Sequence, residues 1–92
     1  MDELTSYNPE YGPFFAWVRR QGQEMQARVE ADVQQLLLVF DIDPGAKAVL
    51  QSGRDAASRL QQAALAVGCV ESAHAFEDDY DYCCFMLGMQ RR

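Results

Sequence analysis

Asp41-Ile42-Asp43-Pro44-Gly45 decides the fold, because it divides two long stretches of helical periodicity. Upstream of it, Val18, Met25, Val29, Val33, Leu36 and Phe40 recur at spacings of three, four and seven, the repeat of one helix face. That repeat predicts a first helix over residues 14–40. Inside the divider, Asp43 offers a side-chain acceptor suited to an N-cap. Pro44 suits the first helical position, where its missing N–H does no harm, and an alanine-rich stretch follows. A second helix is therefore expected over residues 44–76, with Gly68 as the place where it would break.

The first helix, at 27 residues, would run about 40 Å and needs long partners. Gly22 sits on its apolar face between Val18 and Met25; close packing of a neighbour is the expected reason, with a bend as the alternative. The second helix carries Val49, Gly53, Ala56, Leu60, Ala63 or Ala64 and Val67 along one side, a stripe of small residues that lets another backbone come near. A short third helix over residues 78–90 brings Tyr80, Cys83, Cys84 and Leu87 to cover it. Upstream, Tyr7-Asn8-Pro9-Glu10-Tyr11-Gly12-Pro13 is dense in turn formers, so residues 1–13 are expected to form a loop.

Leu36-Leu37-Leu38-Val39-Phe40 surrounds almost the whole circumference of the first helix at its C-terminal end. A helix that is apolar all round is buried all round. The fold class expected is thus all-α: a small helical bundle of two long antiparallel helices plus a short C-terminal helix, completed by dimerisation.

Composition sets the other bounds. Ninety-two residues make one domain, 1–92, and an apolar fraction of 49% with ten aromatic side chains is too high for a disordered chain. No uncharged apolar run approaches the roughly 20 residues that cross a bilayer. Met1-Asp2-Glu3 lacks the basic and apolar regions of a secretion signal, so a cytoplasmic protein without membrane contact is expected. Cys69, Cys83 and Cys84 are odd in number and two of them are adjacent, which favours reduced thiols over a disulfide framework.

The net charge of −6 is concentrated at the two ends of the chain, while the middle is balanced. Nonspecific nucleic-acid binding rests on clustered Lys and Arg, so direct contact with DNA or RNA is not expected and a basic protein surface is the better electrostatic partner.

Glu77-Asp78-Asp79-Tyr80-Asp81-Tyr82 interleaves four acids with two aromatics. Read as chemistry, it is a binding run: the carboxylates steer a basic partner and Tyr80 or Tyr82 anchors it. Tyr11 and Trp17, within an aromatic group that includes Phe14 and Phe15, form the second expected surface, although aromatics so grouped also serve to plug the end of a core. The function expected is a non-enzymatic acidic interaction module that inhibits or regulates a basic partner. In size and charge the chain resembles small phage and mobile-element inhibitors that mimic nucleic acid.

A second chemistry lies in Glu71-Ser72-Ala73-His74, a Glu-x-x-His on one helix face. With Glu30 from the first helix and a second copy, it resembles half of a ferritin-type bundle, which implies a metal-binding helical dimer using Glu30, Glu71 and His74. The chain has a single His and no paired glutamates on the first helix, so this reading stands second and no cofactor is expected. A zinc set from Cys69, His74, Cys83 and Cys84 fails on spacing, since adjacent helical side chains diverge by about 100°. The scattered glycines form no phosphate-binding loop, and Cys69 with His74 lacks an orienting group for nucleophilic catalysis. A structural subunit of a larger assembly is the third alternative.

Overall fold

The computed structural model of the protein describes residues 8–41 and 46–90, and every regular element among them is helical. A 3₁₀ turn at Pro9–Tyr11 leads into α1 (Gly12–Gln21), α2 (Gln23–Asp41), α3 (Lys47–Ala66) and α4 (Val70–Gln90). The all-α expectation holds, but the lengths differ: three long helices and one short one replace two long and one short. Asp43 and Pro44, the expected start of the second helix, lie outside the described residues; α3 itself begins at Lys47, after an N-cap at Ala46 with no side-chain capping bond.

Gly22 separates α1 from α2 and overturns the single helix expected over 14–40. Its φ of 111° with ψ of 173° is a conformation that L side chains rarely adopt. A Cβ placed there would meet nothing within 4 Å, so the glycine serves the backbone and not a close neighbour, contrary to the packing role expected for it. The helix resumes at once, with Gln26 donating its N–H to the Gly22 carbonyl at 3.1 Å.

Close approach belongs instead to Gly53. A Cβ added there would overlap the Cγ2 of Val39 and lie 3.7 Å from the Sγ of Cys83, so α2 and α4 both crowd α3 at this point. Gly53 and Cys83 each stand fifteen residues from Gly68, as an antiparallel pair folded about that glycine must.

The fold-back itself is a helix C-cap. Gly68 has φ of 80°, its N–H donates to the Leu65 carbonyl at 3.1 Å, and the Cys69 N–H donates to the Ala64 carbonyl at 2.9 Å. These two bonds make a Schellman motif, which satisfies carbonyls that the end of α3 would otherwise leave open. The break at Gly68 lets α4 begin at Val70, so the third helix is longer than the 78–90 expected.

The core runs between these helices. Phe14, Phe15 and Val18 of α1 are fully buried, as are Val33 and Leu36 of α2 and Phe76 and Cys83 of α4, with Leu50 and Leu60 of α3 1% exposed. In the Leu36–Phe40 segment the chain itself covers Leu36 and Val39, and Leu37 partly, while Leu38 and Phe40 are each 39% exposed. Much of the apolar surface assigned to a second copy is therefore covered within one chain.

A clasp holds the N-terminal turn to the middle of α4. Asn8 caps the turn by accepting the Glu10 N–H at 3.0 Å. The buried Ser72 hydroxyl donates to the Glu10 carbonyl at 2.6 Å, and the Tyr11 hydroxyl donates to Asp79. The Tyr11 ring stacks on Phe76 with centroids 4.4 Å apart and meets Phe15 edge-on at 5.7 Å. Residues 72, 76 and 79 are spaced by four and three, so one inward stripe of α4 receives the whole turn.

Candidate functional site

Packing decides which side of α4 is left for a partner. Ser72, Ala73, Phe76, Cys83 and Leu87 face inward and are buried. The 3.6-residue period then leaves Glu71, His74, Glu77, Asp78, Asp81, Tyr82 and Phe85 on the solvent side, and all seven are exposed. Glu71, His74, Asp78, Asp81 and Phe85 follow one another at spacings of three and four, so they form a single stripe. Its polar part carries three carboxylates, Glu71, Asp78 and Asp81, along about 15 Å of helix, and Glu77 stands beside it on the same side.

The run Glu77 to Tyr82 does not act as a block. Six consecutive helical residues sweep more than a full turn, so they cannot share one face. Glu77, Asp78, Asp81 and Tyr82 point outward, whereas Asp79 and Tyr80 are half-buried. Asp79 accepts the Tyr11 hydrogen bond, and burial pushes its carboxyl up to about 6, an effect this bond opposes and Asp78 reinforces. It belongs to the fold, not to the surface expected to bind a partner. Tyr80 pairs with the Cys84 thiol, which raises the phenol above its ordinary range.

Tyr11, expected as an exposed anchor, is fully buried against Phe76. Trp17 is half-buried, with its ring stacked on Phe14 at 6.1 Å. The aromatic N-terminal group thus closes the end of the core, and the residue pair expected there offers at most one edge to solvent.

A different aromatic group is on the surface. Phe40, from the last turn of α2, stacks on Tyr82 with ring centroids 5.1 Å apart and planes 21° from parallel. Phe85, one turn further along α4, is 65% exposed. Sequence reading placed Phe40 in the segment expected to be buried all round and passed over Phe85. Phe85 was detectable: it falls outside the Phe76, Cys83, Leu87 stripe and stands three residues from Tyr82 and four from Asp81. Phe40 was not, because its partner is 42 residues away in the chain.

The metal-ligand candidates are placed apart. Glu71 and His74 lie on the exposed face of α4, and His74 Nδ1 is 3.6 Å from Glu77 Oε2. Glu30 is on α2, half-buried, accepting a hydrogen bond from Gln26 at 3.2 Å. Among the described residues no three His, Cys, Asp or Glu side chains converge as a metal-holding group. Nor is any described helix long and apolar enough to cross a membrane.

Of the thiols, Cys83 is buried and its pKa is pushed up to about 11, first by burial and then by the nearby charge of Asp79. Cys69 and Cys84 are half-buried, and none of the three thiols is in a disulfide. The electrostatic resource of the exposed face is negative charge beside aromatic rings, which attracts cations at long range and can hold them at contact by ion pairing and by the ring faces. No protein-family model, curated protein or solved structure matches the chain.

Proposed function

We propose that this protein is a non-enzymatic interaction module whose α4 face binds a basic protein partner and so inhibits or regulates it. The observation that carries this reading is the continuity of the stripe. Glu71, Glu77, Asp78 and Asp81 are all exposed on one side of a single helix, and the stripe runs into the exposed rings of Tyr82 and Phe85. Carboxylates arranged in this way raise the on-rate for a positive partner and disfavour negative ones. Aromatic rings at the end of the stripe supply the contact area on which binding energy concentrates. A groove that normally receives nucleic acid is one basic surface of suitable charge, which gives the inhibition a concrete form.

The test is charge reversal. Asp78→Lys with Asp81→Lys, both at exposed helical positions, is expected to abolish association with the partner recovered from the native source while leaving the helical circular dichroism intact. His74→Ala is expected to change nothing. Native mass spectrometry of the purified chain separates the alternatives. A metal-free complex with a second protein supports the proposal; a dimer carrying iron or zinc overturns it in favour of the ferritin-like reading.

A further inference from the structure

We infer that the ledge formed by Phe40, Tyr82 and Phe85, with Asp81 at its edge, receives an arginine side chain of the basic partner. This deepens the function proposed above and rests on it.

Phe85 is the most exposed large apolar side chain among the described residues, at 65%. One helical turn before it on α4 stands Tyr82, whose ring stacks on Phe40; these two rings, 37% and 39% exposed, join the end of α2 to α4. Asp81 precedes Phe85 by four residues on the same stripe, which sets their Cβ atoms about 5–6 Å apart. Asp78 stands one turn before Asp81. A planar guanidinium fits this pair, laying its face on the ring while its edge N–H groups reach the carboxylate. An ammonium presents a compact, strongly hydrated charge and gains less from the same surface.

Charge selects this occupant over two others. A second copy meeting the ledge through a two-fold axis would bring its own Asp78 and Asp81 against these, on chains that each carry −6. A purely apolar partner would strip water from Asp81 without pairing it. A basic segment satisfies both the rings and the carboxylate.

The experiment uses the full chain and two synthetic helical peptides that differ only in having Arg or Lys at their central basic positions. Binding is followed by calorimetry and by amide shift mapping at several salt concentrations. The arginine peptide is expected to bind about fivefold more tightly than the lysine peptide, with shifts centred on residues 81–85. Phe85→Ala, at an exposed position, is expected to erase that preference while leaving weaker, salt-sensitive binding of both peptides to the remaining acids. Equal affinity for the two peptides, unchanged in Phe85→Ala, would overturn the arginine site and leave the acidic-face reading standing. No binding of either peptide at low salt would sink both. Sedimentation showing a dimer that Phe85→Ala dissociates would assign the ledge to a second copy and overturn the inference.

Discussion

The hydroxyl of Tyr11 donates a hydrogen bond to Asp79 across 68 positions of the chain. This contact fastens the N-terminal turn to the centre of α4, together with the Ser72 bond to the Glu10 carbonyl. It also takes one of the five acids of the C-terminal segment out of the exposed face. Stability and surface charge are therefore set by the same helix, on opposite sides.

Removing the Tyr11 hydroxyl leaves a half-buried carboxylate without its donor. Tyr11→Phe is expected to destabilise the fold by about 1–2 kcal/mol, because an unsatisfied buried acceptor costs more than a hydrogen bond gains. Tyr11→Ala, which also vacates the space against Phe76 and Phe15, is expected to cost about 3–5 kcal/mol. Urea unfolding followed by far-ultraviolet circular dichroism measures both.

Asp79 makes stability depend on pH in a definite direction. Its folded pKa, about 6, lies above the ordinary 3.8, so the fold holds the proton more tightly than the unfolded chain does. The contribution of this group is greatest at pH values below 3.8, is lost as pH rises through that value to about 6, and is level above. Asp79→Asn removes the slope. Relative to the parent, the variant is expected to be more stable at neutral pH than at about pH 4.5, as read from urea midpoints at the two pH values.

Two glycines of ordinary helical conformation predict opposite outcomes. Gly53→Ala drives a methyl group into Val39 at the crossing of α2 and α3 and is expected to cost about 1–3 kcal/mol. Gly88→Ala meets nothing within 4 Å on α4 and is expected to gain about 0.5–1 kcal/mol from helix propensity. Thermal unfolding of the two single variants decides the signs.

The thiols should react in order of burial. Cys83, raised to about 11 and buried, is expected to resist iodoacetamide in the native state, whereas Cys69 and Cys84 are expected to be modified first. Mass spectrometry of peptides from a timed labelling series gives the order, and early modification of Cys83 would contradict the packing against Gly53.

The helical class and much of the core were legible in the sequence because the signal is local. Val18, Val29, Val33 and Leu36 repeat at helical spacing and are buried, and the same period in α4 marks Phe76, Cys83 and Leu87 as its inner stripe. Gly22 was visible as an irregularity, but whether it served a neighbour or a bend depended on a backbone conformation that no residue pattern specifies. The acidic run was legible as composition and misread as a unit, since which of its members faces out is set by the register of α4 on α3 and the N-terminal turn.

What the sequence determined by itself was an all-helical chain, its apolar stripes and its excess of negative charge, because periodicity and composition are properties of neighbouring residues. Only the tertiary structure decided that Tyr11 turns inward to Asp79, that α1 leaves the line of α2, and that Phe40 meets Tyr82 to leave Phe85 in solvent. Each of these depends on contacts between residues far apart in the chain, whose energies are settled only when the helices pack together.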